Sequence, residues 1–144
     1  MFIPGIRTVL ACAGLCAALA ACSDPETRAR HDAMRAKLNT SDSRHQALLA
    51  MPLLDYYQTT IVASRIGARC AGLSHNAIAD LELNERRNEM GRGSFSAIGR
   101  KKEILAAADA REQAVVRQYG SLCAAGQQEF ARGSSPMSYL LTSS

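Results

Sequence analysis

The run Pro52-LLDYYQTTIVASRIGAR-Cys70-Ala71 is the stretch from which the fold is read. Proline suits the first helical position, because its missing N–H would have had no intrahelical partner there. Gly72 follows as a stop signal. Between them Asp55, Gln58, Arg65 and Arg69 fall on one stripe of a 3.6-residue period. Leu53, Leu54, Tyr57, Ile61 and Ala68 cover the opposite side, the pattern of an amphipathic helix with one face toward a core. Cys70 sits in its last turn.

Toward the C-terminus, Ser74 is placed as the N-cap of a second helix, His75 to about Met90. Leu73 and Ile78 close a hydrophobic staple around that cap, and Ala77, Ile78, Leu81 and Met90 are expected to face inward. Gly91-Arg92-Gly93-Ser94 ends it. A third helical segment, from about Phe95 to Ala131, repeats Ile98, Leu105, Glu112, Tyr119 and Ala108, Val115, Leu122 in a heptad-like seam. Gly99 and Gly120 are placed to kink or interrupt it. No alternating strand pattern is evident. The expected fold is all-α, a small helical bundle of three to four main helices over residues 43–133. Residues 134–144 are expected to form a flexible tail.

Toward the N-terminus, Ser43 and Gln46 have the spacing of a capping box after the turn cluster Asn39-Thr40-Ser41-Asp42. Residues 22–42 are expected to be an anchor followed by a tether or short helix. Upstream of them, Val9 to Ala21 is an uncharged run of small and aliphatic residues preceded by Arg7. It is too short to span a bilayer, which takes about 20 apolar residues, and has the layout of a secretory signal. Leu19, Ala20, Ala21 and Cys22 then resemble, position for position, the lipobox of bacterial lipoproteins. The resemblance covers residues 1–22 alone.

That resemblance implies cleavage before Cys22, removal of residues 1–21 and attachment of diacylglycerol to the Cys22 thiol. The membrane would then be the first partner of the chain. Cys12 follows too little apolar core, and Cys16 follows bulky Leu15, so neither replaces Cys22. Ser23, where an Asp would favour inner-membrane retention, points to the outer membrane of a bacterial envelope, with the domain facing the periplasm.

Cysteine usage follows from this assignment. Of the five cysteines, two leave with the signal and one carries lipid, so Cys70 and Cys123 remain as a pair. In an oxidising compartment such a pair is expected to form a disulfide. It would tie the end of the first strong helix to the end of the third segment.

Removing the signal takes only Arg7 from the 17 basic residues and none of the 13 acidic ones. The mild positive balance that remains does not suggest a nucleic-acid binder, which concentrates basic residues on one face. Arg86, Arg87, Arg92, Arg100, Lys101 and Lys102 form the one local charge concentration, diluted by Glu85, Glu89 and Glu103. It is either a solvated face or a docking patch for lipid headgroups, acidic cell-wall peptides or an acidic partner.

His75, Asn76 and Asp80 could form an acid/base or metal site, though a histidine at a helix start is more often surface or capping. Asp55, Tyr56 and Tyr57 could line a pocket or belong to the core. No catalytic constellation, metal-ligand spacing or cofactor motif is evident. The sequence therefore favours a lipid-anchored, non-enzymatic binding or accessory module of the envelope, with an envelope protein as a possible partner. A small periplasmic hydrolase or ligand-binding protein, and a structural or envelope-stress lipoprotein, stay open as alternatives. The small-molecule ligand, if there is one, is not legible.

Overall fold

The computed structural model describes residues 24–144. These are mostly helical, as the sequence indicates, but they hold seven α-helices and a two-stranded sheet rather than three to four helices. They divide into two compact units at Lys37 and Leu38. The lipobox residues Leu19, Ala20, Ala21 and Cys22 lie outside the described residues.

In the first unit, α1 (Pro25–Arg35) starts where Asp24 caps it, accepting from the Glu26 N–H, with Pro25 opening the helix. It buries none of its residues.

The second unit begins at Leu38, so the turn 39–42 belongs with the helical domain. Leu38 itself packs against the core. The cap of α2 (Ser43–Ala50) is Asp42 rather than Ser43, its carboxylate accepting from the Arg44 N–H at 2.8 Å. Gln46 reaches back to the Thr40 carbonyl at 2.8 Å.

Helix α3 (Leu53–Arg69) is the first strong helix expected from the sequence, but its buried face is rotated from the expected one. Tyr56, Thr59, Ala63, Ile66 and Cys70 face inward with Thr60 and Val62. Tyr57 and Ile61 flank that stripe, and Ala68 is exposed. The two threonines made the face look polar in sequence. Their hydroxyls donate to helix carbonyls, Thr59 to Asp55 at 2.7 Å and Thr60 to Tyr57 at 3.2 Å. A threonine satisfied in this way can be buried at little cost.

After α3 the chain forms a strand, β1 (Leu73–His75), where a helix start was expected. The cap of α4 (Ala77–Glu89) therefore moves from Ser74 to Asn76, whose side chain accepts from the Ala79 N–H at 3.1 Å. Its inward residues are Ala79, Glu82, Leu83 and Arg87, while Leu81 and Met90 are exposed.

The long third segment is broken into pieces. A 3-10 turn over Ser94–Ala97 precedes α5 (Lys101–Tyr119), and α6 (Leu122–Arg132) follows. Gly120 makes the break, since its φ of 85° closes α5 in a left-handed cap before Ser121 caps α6. Ala108, Val115 and Leu122 of the expected seam are buried or partly buried, but Ile98 and Leu105 are not. Gly126 lets α6 lie directly on α3, because a Cβ there would come within 2.5 Å of the Ile66 side chain.

The segment expected to be loose is part of the core. Pro136–Tyr139 forms α7, capped by Ser135, and Leu141–Ser143 forms β2, antiparallel to β1 with Leu73 opposite Ser143 and His75 opposite Leu141. Met137, Tyr139, Leu140 and Leu141 are all buried. Each such side chain contributes roughly 1.5–3 kcal/mol when fully buried, enough to hold a short terminal segment in place. Arg44 reinforces it by donating to the Ser138 hydroxyl at 3.1 Å.

The Cys70–Cys123 disulfide is present, joining the end of α3 to the start of α6 across 53 residues. Constraining a loop of that length in the unfolded chain stabilises the folded state by about 4 kcal/mol in the chain-entropy account. Reduction, or Cys70→Ala with Cys123→Ala, is expected to lower unfolding stability by roughly that amount, measured by urea titration with and without reductant. An unchanged urea midpoint would contradict this role.

Candidate functional site

The six basic residues singled out in the sequence do not act as one patch. Arg87 is fully buried and is not available for docking. It enters the core because α4 turns its Ala79–Leu83–Arg87 stripe inward. Its Nη1 donates to the carbonyls of Leu48, Leu49 and Met51 at 2.9, 2.9 and 2.8 Å. These groups close the C-terminal end of α2, where helix carbonyls lack intrahelical donors. The guanidinium also lies 4.1 Å from the centre of the Tyr56 ring. Burial pulls its pKa below the ordinary arginine value, with Tyr56 and Tyr57 opposing.

Two more of the six are engaged with acids. Arg86 pairs with Glu82 at 2.9 Å and Glu89 at 4.0 Å. Arg100 makes two hydrogen bonds to Glu103, at 2.8 and 2.9 Å. Arg92, Lys101 and Lys102 are exposed and make no ion pair among the described residues. Of the acids that seemed to dilute the patch, Glu89 and Glu103 are matched locally, and three cations remain outward.

His75 and Asp80, with Tyr56, do come together. The Tyr56 hydroxyl donates to Asp80 Oδ1 at 3.1 Å, and His75 Nε2 lies 3.6 Å from Asp80 Oδ2. The second distance is too long for a hydrogen bond. Burial lowers the His75 pKa, with Asp80 opposing, and burial followed by Asp80 raises that of Tyr56. Tyr57 sits edge-on to Tyr56 and donates to Asn84 at 3.2 Å. This is a packed polar core with Asn76 spent as a helix cap, and neither Tyr56 nor His75 lines the clefts described below. No group of three or more His, Cys, Asp or Glu side chains that could hold a metal occurs among the described residues.

The sequence reading missed a cleft of about 520 Å³ between α3 and α5, lined by Arg65, Arg69, Asp109, Glu112, Val116 and Arg117 among others. Arg65 Nη1 bridges Asp109 at 2.8 Å and Glu112 at 2.6 Å, and Arg69 takes the other Glu112 oxygen at 2.8 Å. Hydrogen bonds to Asp109 and then Glu112 push the Arg65 pKa above its usual value. The signal was present as an Arg pair at i, i+4 on one helix and an Asp–Glu pair at i, i+3 on another. Only the packing of α3 on α5 shows that the two pairs meet.

Comparison with protein-family models, with curated proteins and with solved structures finds no match to this chain.

The buried His45 and the half-buried His75 make stability sensitive to acid. His45, packed edge-on to Tyr139 at 5.4 Å, has its pKa lowered chiefly by burial, as does His75. A histidine with a depressed folded pKa binds its proton more readily when unfolded. Stability is therefore complete above the unfolded value and falls as pH drops below it. Asp42, held at about 2 chiefly by its hydrogen bond from Arg44, loses its contribution only at lower pH, from below about 4 toward 2. Unfolding free energies from urea titration are expected to decline first as pH falls from 7 toward 5, by up to about 1.4 kcal/mol per pH unit for each histidine. His45→Gln with His75→Gln should flatten that first decline, and a slope unchanged by the double variant would contradict the assignment.

Proposed function

We propose that this chain is a lipid-anchored protein of the bacterial cell envelope, attached through diacylglycerol on Cys22 and facing the periplasm. The outer membrane fits better than the inner, given Ser23. The single observation that carries this reading is Leu19-Ala20-Ala21-Cys22 behind the apolar run Val9 to Ala21. The Cys70–Cys123 bond supports it, because structural disulfides persist in oxidising compartments outside the cytosol.

The activity that fits best is binding, as an accessory or interaction module of the envelope. The carboxylates of the α3–α5 cleft are tied to Arg65 and Arg69. The one hydroxyl that meets a carboxylate there, Tyr56 on Asp80, is fully buried and held in its neutral form by that burial, so it is closed to a substrate. A second reading, a ligand-binding protein or small hydrolase, is favoured by the volume of that cleft, which lies within the range of small-molecule sites. It would take a small polar ligand between Arg117 and the Arg65–Glu112 pair.

Cys22→Ala is expected to abolish palmitate labelling in growing bacteria and to move the protein out of the total-membrane fraction or leave it unprocessed. Continued labelling of the Cys22→Ala protein would refute the anchor.

A further inference from the structure

The turn between α4 and α5 presents two large apolar side chains that the core does not use. Phe95 and Ile98 are 75% and 77% exposed, and Met90 at the end of α4 is 50% exposed. Leu105, one turn beyond Lys101 on α5, is 38% exposed. Exposed apolar residues scattered singly are ordinary, but here four fall within sixteen residues, on one turn and its flanks.

The turn is built to hold them out. The Asn88 side chain accepts from the Phe95 N–H at 3.2 Å and donates to the Ser94 hydroxyl at 3.1 Å. Ser96 Oγ donates to the Gly91 carbonyl at 2.7 Å. Gly93 fits beneath Asn88, where any Cβ would overlap the Asn88 side chain. Phe95 and Ile98 thus project from a clamped frame rather than from a loose loop.

The charge around them is one-sided. Arg92 precedes the turn and Lys101 and Lys102 follow it, all three without an ion-pair partner among the described residues. Of the acids around it, Glu103 and Glu89 are engaged with Arg100 and Arg86, and Glu85 lies more than a turn further back on α4. A cleft of about 440 Å³ lined by Met51, Pro52, Leu53, Arg92, Ser96 and Arg100 opens beside the turn. Apolar tips set among unpaired cations match the boundary of an anionic bilayer, where tips enter the acyl region and cations meet headgroup phosphates. A protein partner would instead call for a broad, closely packed patch of about 800 Å².

We infer that residues 90–105 form a second membrane contact, with Phe95 and Ile98 inserted and Arg92, Lys101 and Lys102 on anionic phospholipid. The inference rests on the envelope reading for the presence of a bilayer. In it, the surface of the second unit that bears this turn lies on the membrane, so the protein does not simply hang from its lipid.

The chain contains no tryptophan, so Phe95→Trp and Ile98→Trp each create a single fluorescent reporter. Each full-length protein, processed in a lipoprotein-competent host, is reconstituted into phosphatidylethanolamine–phosphatidylglycerol vesicles with brominated acyl chains. Blue-shifted, bromine-quenched emission is expected from both positions, as for residues about 5–10 Å into the interface. Lys101→Gln with Lys102→Gln should lower the ratio of inserted to exposed turn by about 30-fold, and phosphatidylcholine vesicles should weaken it similarly. Vesicle flotation separates the two readings. Protein that floats through Cys22 while both reporters stay unquenched keeps the anchor and overturns the second contact. Quenched reporters on protein carrying no lipid at Cys22 support the second contact and overturn the anchor. Shielding that appears without vesicles and grows with protein concentration would assign the face to a second copy and overturn the inference.

Discussion

A buried guanidinium that pairs with no carboxylate among the described residues, Arg87, organises the second unit. Arg87 could be buried only where something other than an acid answers its charge, and the C-terminal end of α2 does so. Three carbonyls accept from one nitrogen, and the aligned peptide dipoles of α2 add a negative pole at that end. Tyr56 supplies the face of its ring from α3. One side chain on α4 therefore joins α2, α3 and α4, and fixes where α2 stops. A short helix of eight residues would be marginal by itself.

Around that junction the remaining ties are covalent and ionic. The disulfide fixes α6 to the end of α3, and Arg65 with Arg69 fixes α5 along its length. Partly exposed ion pairs contribute little singly, but a network sharing Glu112 holds the two helices in register. The C-terminal segment closes the fold from the other side, Tyr139 donating to the Asn39 carbonyl at 3.2 Å while β2 pairs with β1. On the α4–α5 turn and its flanks, Phe95 and Ile98 stay out of the core, and Arg92, Lys101 and Lys102 make no ion pair among the described residues.

How much of this the sequence disclosed follows from its chemistry. The helical class, α3 as a strong helix and the Cys70–Cys123 pair were legible, because proline, glycine, periodicity and cysteine arithmetic are local signals. The inward faces of α3 and α4 were not. Thr59, Thr60 and Arg87 are polar in sequence, yet carbonyls nearby satisfy the two hydroxyls and distant ones take Nη1 of Arg87, and periodicity weighs side chains without knowing their partners. The terminal Tyr139-Leu140-Leu141 was mistaken for a tail because it is too short to show a period and gains its stability from long-range packing. The α3–α5 cleft was missed for the same reason, since Arg65 and Glu112 lie 47 residues apart. The basic cluster was legible as a list but not as a division between one structural, two paired and three outward cations.

That division depends on Arg87 being structural, and equilibrium urea unfolding of Arg87→Ala tests it most directly. Removing the guanidinium leaves the carbonyls of Leu48, Leu49 and Met51 without their donor and strips the face of Tyr56. A loss of about 3–5 kcal/mol, or outright failure to fold, is expected, with Lys101→Ala staying within about 0.5 kcal/mol of the parent. An Arg87→Ala protein as stable as the parent would contradict the account.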